Sequence, residues 1–110
     1  MAYDQDLANR LRECLQGEAG VTEKRMFGGL AFLVDGNLAV SASGKGGLLL
    51  RVDPEVAESL LAESQVERAV MGGRVMAGWL RVAPDVVRTS RQLARWVRVG
   101  VSYARTLAPK

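Results

Sequence analysis

Apolar positions along the chain change period twice. Leu7, Leu11, Cys14 and Leu15 recur at helical spacing behind Asp4 and Asp6, which suit the positive end of a helix, and Gly17 can terminate it. The spacing predicts an amphipathic helix over residues 4–16. VTEKRM then reads as an edge strand. Beyond Gly28 and Gly29 the period becomes two, and GLAFLV and LAVSAS flank DGN, a hairpin signal because Asp, Gly and Asn tolerate left-handed backbone. Pairing Val34 with Leu38 sets Phe32 opposite Val40 and Leu30 opposite Ala42. Pairing Ala42 with Leu48 across SGKGG sets Val40 opposite Leu50 and Leu38 opposite Val52, so one apolar face runs across three strands. The other face, with Ala31, Leu33, Ala39, Ser41, Leu49 and Arg51, is smaller and mixed, the pattern of a solvated side or a subunit contact.

Asp53-Pro54-Glu55 announces a second helix: Asp caps it, Pro suits its first position and Glu complements its dipole. Val56, Ala57, Leu60 and Leu61 form its stripe. A polar connection holding Glu63 and Glu67 leads to GRVMAGWLRV, an interior strand with Val75 and Trp79 on one face and Met76, Leu80 and Val82 on the other. APDVVRT bends the chain. Thr89 and Gln92 then fit the capping box of a last helix reaching about Leu107. Leu93, Trp96, Val97, Gly100, Ala104 and Leu107 share one side of it. The order is helix, three or four strands, helix, strand, helix. It predicts an α+β fold, an antiparallel sheet of four to five strands with helices packed on one face, as a single domain over residues 1–110.

Composition narrows the chemistry more than the fold. With 110 residues, 48% of them hydrophobic and 25% charged, the chain can bury roughly two thirds of its unfolded surface and fold without staples. No charged and apolar leader opens it, and no apolar run approaches the ~20 residues of a membrane span, so a cytoplasmic protein without a membrane partner is expected. One cysteine and no histidine leave no disulfide, no usual zinc ligand set and no histidine general base. Neither metal nor cofactor is expected, and Cys14 reads as an inert, buried thiol. The net charge of +3 is unevenly spread. From residue 86 onward there are six basic residues, Arg88, Arg91, Arg95, Arg98, Arg105 and Lys110, and no acidic one, against nine basic and twelve acidic before it. Such a split points to a polyanion or an acidic partner at one end.

Three stretches compete as sites. SGKGG resembles a phosphate-binding loop, but a P-loop needs Ser or Thr after its GK and then a helix, whereas this loop runs into the strand LLLRV. An ordinary hairpin loop is the better reading, with a small-ligand or nucleotide site around Lys45 as the lesser alternative. In KRMFGG, the glycines allow a bend between strands, and the stretch reads as a structural corner. Arg91, Arg95 and Arg98 form one helical row that could neutralise phosphates or meet an acidic protein, or could simply be solvated. The serines lack a histidine to activate them. A Ser–Lys arrangement with Lys24, Lys45 or Lys110 stays open on sequence alone.

KRMFGG, followed by AFLVDGN, LLLRVD and RVMAGWLRVAPDVV before a Trp-bearing helix, resembles the N-terminal domain of the TfoX/Sxy family, regulators of natural competence. The likeness covers nearly the whole chain, and RMFGG is its most specific piece. Leu30 stands where an aromatic is frequent in the family, and Gly78-Trp79 replaces a more aromatic pair. The competence regulators continue into a second, helical domain, whereas this sequence resembles a stand-alone first domain. The resemblance implies a fold similar to secretion-chaperone-like domains and a non-enzymatic regulatory or adaptor role in transcription-related control, through protein partners such as the cyclic-AMP receptor protein. It makes Arg25, Met26, Phe27, Gly28 and Gly29 a structural family motif and supplies no catalytic residue. Weak duplex DNA binding through Arg91, Arg95 and Arg98 is the alternative. A homodimer through the mixed sheet face, or a contact through the outer side of the last helix, are the surfaces considered.

Overall fold

The computed structural model describes residues 3–26, 28–71 and 73–110. Among them, three α-helices cover one antiparallel sheet of six strands. In chain order these are α1 (Gln5–Cys14), β1 (Val21–Met26), β2 (Gly29–Val34), β3 (Asn37–Ala42), β4 (Leu48–Arg51), α2 (Pro54–Leu61), β5 (Val66–Met71), β6 (Arg74–Val82) and α3 (Ser90–Ala104). A short 3-10 turn, Pro84–Val86, precedes α3. The strands lie in the order β1-β2-β3-β4-β6-β5.

The α+β class and the antiparallel sheet match the expectation, but the strand count of four to five does not. The missed strand is β5, which lies in the stretch read as a polar connection. It is an edge strand carrying Glu67 and Arg68, and its register with β6 shifts between Arg68 and Val70. Val66 and Ala69, both buried, are three positions apart rather than two, and at the shift Ala69 alone stands against residues 76–79 of β6, which carries the extra residues. A bulge of this kind erases the alternation by which a strand is recognised. β6 is interior, as its two-sided apolar pattern required.

Local sequence accounts for the helix ends. Asp4 Oδ1 accepts from the amides of Asp6 (2.9 Å) and Leu7 (3.2 Å), and Asp53 Oδ1 from that of Glu55 (2.9 Å). Thr89 and Gln92 complete a reciprocal capping box at 3.0 Å in each direction. Such caps each stabilise a helix by about 1 kcal/mol.

The first hairpin register needs a correction. Asp35 (φ 51°) and Gly36 (φ 85°) form a two-residue turn, so Val34 pairs with Asn37 rather than Leu38. Left-handed backbone at both positions is what this tight turn requires. A register shift at Phe32/Leu33 then restores Phe32 opposite Val40 and Leu30 opposite Ala42. Ala39 is the residue passed over, and it joins the core beneath α3 instead of the opposite face. Between β3 and β4, the pairs Val40–Leu50 and Ala42–Leu48 form as expected.

The core lies between sheet and helices. Leu30, Phe32, Val40, Leu48, Leu50, Leu80 and Val82 meet Leu7, Leu11, Leu93, Trp96 and Val97, all buried. α3 crosses β3 at close range, since a Cβ on Gly100 would collide with the carbonyl oxygen of Ala39. On the opposite face, Ala31, Ser41 and Leu49 are also buried within the single chain, and Ser41 Oγ donates to the Leu30 carbonyl at 3.1 Å. Ala39 and Ser41, two residues of the mixed face considered for a homodimer, are thus buried within the single chain.

Candidate functional site

The motif at residues 25–29 turns a corner. Arg25 pairs with Leu30 and Met26 with Gly29, closing β1 onto β2. Gly28 has φ +75°, and a Cβ on Gly29 would collide with the Ala42 carbonyl oxygen and approach the Gly44 nitrogen to 3.1 Å. The paired glycines thus serve two needs, left-handed backbone at the first and close strand packing at the second. Phe27 lies outside the described residues.

Three amides of the SGKGG loop are spent within the loop. Lys45 N–H donates to Ser43 Oγ (3.1 Å), Gly46 N–H to the Ser43 carbonyl (3.1 Å), and Ser43 N–H to the Gly47 carbonyl (3.0 Å). Arg81 also donates to Ser43 Oγ, at 3.0 Å. A phosphate cradle needs such amides aimed outward together. A recess of about 480 Å³ lies beside Lys45, Gln65, Glu67 and Arg81, and the Lys45 and Gly46 amides that border it are already engaged within the loop. Among the described residues no lysine ammonium is hydrogen-bonded to a serine hydroxyl, and the Ser–Lys arrangement does not form.

The basic row of α3 divides in two. Arg95 donates from both terminal nitrogens to the Glu63 carboxylate, at 2.8 Å and 2.5 Å, and its guanidinium sits 4.7 Å from the Trp96 ring centroid. Hydrogen bonding to Arg95 holds the Glu63 carboxyl below its ordinary range, and the same bonds raise Arg95. Arg91 and Arg98 stay exposed, with no ion pair among the described residues. About two helical turns separate them, roughly 10 Å along the axis.

Other arginines of the basic end are also engaged. Arg88 pairs with Asp85 (2.8 Å), and Arg105 with Glu18 (2.7 Å) and, at 3.6 Å, with Asp35. Three of the six late cations, Arg88, Arg95 and Arg105, are therefore matched by acids from earlier in the chain. Half of the charge asymmetry of the sequence is thus folded away. Elsewhere Arg12 grips Glu23 through two bonds of 2.7 and 2.8 Å, tying α1 to β1 and lowering the Glu23 carboxyl. Arg10 reaches the Val87 and Arg88 carbonyls at 2.8 and 3.0 Å.

Two recesses flank Arg98. One, about 410 Å³, runs between α1 and α3 past Cys14, Glu18, Val97, Val101 and Arg105. Cys14 is half-buried at this groove rather than enclosed in the core, and desolvation pushes its thiol up, away from the reactive thiolate. The other, about 390 Å³, lies between α2 and the second half of α3, against Val52, Val56, Val99 and Tyr103. Tyr103 also faces Arg51, whose guanidinium is 5.7 Å from the ring centroids of both Trp79 and Tyr103. The sequence reading placed Arg51 on the mixed sheet face and missed this arrangement. Its only local signal was an arginine ending an apolar strand, while both rings come from distant segments.

No helix is long and apolar enough to cross a membrane among the described residues. No curated protein and no solved structure matches the chain. The TfoX N-terminal domain matches residues 13–104, a stretch beginning at the end of α1 and running through all six strands to the last residue of α3. With the whole sheet, the RMFGG corner and the long closing helix inside that match, the chain belongs to the TfoX N-terminal domain family.

Proposed function

We propose that this protein is a non-enzymatic regulatory adaptor that acts through protein contacts, in transcription-related control of the kind its family's competence regulators exert. The observation that carries the reading is the outer face of α3. Arg91 and Arg98 are exposed and unpaired among the described residues, Arg98 stands between two recesses, and both lie on a helix firmly seated by Leu93, Trp96 and Val97. A rigid ridge with free cations suits an acidic protein surface, because such charges steer association without reorganisation. The partner would be cytoplasmic. A homodimer would need a surface other than Ala39 and Ser41, which are buried in the single chain.

Duplex DNA is the second reading, and the same two arginines favour it. With Arg95 held by Glu63, two phosphate contacts rather than three are available, and the slope of log K against log salt would be about −2. One experiment separates the two. Wild type, Arg91→Glu/Arg98→Glu and an Arg74→Glu control are used to retain proteins from a cell extract, and each is titrated with labelled duplex DNA. The adaptor reading expects a retained protein lost only from the double variant, with no DNA binding at near-physiological salt. Retention equal in all three forms would overturn it, and salt-dependent DNA binding lost from the double variant would replace it.

A further inference from the structure

We propose that the recess between α2 and α3, together with Arg51, is a binding site for a small apolar carboxylate. The inference stands apart from the adaptor reading, and three observations carry it.

The first is the state of Arg51. The residue is half-buried, and its guanidinium lies 5.7 Å from the centroids of both the Trp79 and Tyr103 rings. A cation–ring contact of this kind uses up no N–H hydrogen bond, and the guanidinium's N–H groups match a carboxylate in a two-bond fork. Other arginines that brace this fold have oxygen acceptors: Arg10 on carbonyls, Arg12, Arg95 and Arg105 on carboxylates, Arg81 on a hydroxyl. Arg51 has neither a hydrogen-bond acceptor nor a carboxylate partner among the described residues. Held by two rings, it would lose little further freedom on meeting an anion.

The second is the recess itself, about 390 Å³, at the small end of the range for ligand sites. Val52, Val56, Val99 and Tyr103 give it apolar walls, and Tyr103 is also one of the rings beside Arg51. Val56 is 43% exposed although it belongs to a helix whose inner stripe, Ala57 and Leu60, is buried. An apolar side chain is thus left open at the rim.

The third is the charge balance. Arg98 lines the recess and has no ion pair among the described residues. Asp53 also lines it, but one of its oxygens already accepts from the Glu55 amide as the cap of α2. Arg98 on the lining, with Arg51 joined to the recess through the shared Tyr103 ring, fits a ligand with a hydrocarbon body and one carboxylate head.

The test is an NMR titration of the whole chain with octanoate, octanol and octylammonium, following valine methyls and arginine side-chain N–H signals. Octanoate is expected to give saturable shifts at Val56, Val99 and Arg51, with octanol at least tenfold weaker and octylammonium not bound. Arg51→Met keeps an apolar chain between the rings and removes the fork. It is expected to weaken octanoate tenfold or more, the worth of a charge-assisted hydrogen bond. Val56→Asp, at an exposed position that leaves the fold intact, should weaken it as well, which keeps the test decisive if Arg51→Met is unstable. Absence of saturable octanoate shifts, equal affinity for octanol, or wild-type affinity in folded Arg51→Met or in Val56→Asp would overturn the proposal. So would shifts at the same residues that grow with protein concentration alone, which would assign the recess to a second copy of the chain.

Discussion

Replacing Gly100 by alanine should destabilise the protein, although alanine is the better helix former. In an exposed helix interior the exchange gains about 1 kcal/mol. Here the added Cβ would collide with the Ala39 carbonyl oxygen and lie 3.0 Å from its carbon. That is about 1 Å short of ordinary van der Waals separation from the oxygen, and both sides of the contact are backbone, so no side chain can swing away. α3 must lift from β3, loosening Leu93, Trp96, Val97 and Ala104 together. Overpacking of this kind costs about 1–3 kcal/mol, and a gap of 0.5–1 Å forfeits roughly a quarter to a half of the local dispersion energy. With backbone on both sides the upper half of that range applies, about 2–3 kcal/mol, so against the propensity gain a net loss of about 1–2 kcal/mol is expected, or roughly 5–10 °C in Tm for a domain of this size. Urea and thermal denaturation by circular dichroism would measure it, with Ser102→Ala, exposed on the same helix, as a control expected to be neutral or slightly stabilising. A Gly100→Ala protein as stable as wild type, or more so, would refute the close seating of α3 on β3.

The corner glycines should separate by mechanism: Gly28→Asn is expected to cost under about 1 kcal/mol because Asn tolerates left-handed backbone, while Gly29→Ala, blocked by the Ala42 carbonyl, should cost more in the same denaturation assay. Because Arg95 lowers Glu63 and Arg12 lowers Glu23, both carboxylates contribute stability that is present above their unfolded values and is lost as pH falls through the lower folded values. Tm measured downward from about pH 4.5 should therefore fall more steeply in wild type than in Glu63→Gln, by no more than about 1 kcal/mol because the pair is over a third exposed; parallel curves would remove the pair from the stability balance. If duplex DNA is bound at all, Glu63→Gln should free Arg95 and steepen the salt slope by about one unit. Nucleotides at millimolar concentration should leave the Tm unchanged in wild type and Lys45→Ala alike, since the Lys45 and Gly46 amides are already engaged; a shift abolished by Lys45→Ala would contradict this.

The elements decided by neighbours in the chain were legible in the sequence. Asp4, Asp53 and the Thr89–Gln92 pair cap helices through hydrogen bonds spanning two or three residues, and the stripe from Leu93 to Ala104 needs only the helical period. The Gly28-Gly29 corner rests on backbone preferences that local sequence states directly, and the turn at Asp35-Gly36 was legible in its place but not in its length. What the tertiary structure decided involves partners far apart in sequence. The bulge at Ala39 moved one residue onto the helix side, and the register shift of β5 against β6 broke the alternation of a whole strand, because register answers to the neighbouring strand and not to the period of its own. Glu63 lies 32 residues from Arg95, so a row of three cations in the sequence is two in the fold. Arg51, Trp79 and Tyr103 meet only when β4, β6 and α3 pack together. Periodicity and capping are written residue by residue, whereas charge pairing and the shape of a recess depend on which segments the core brings together.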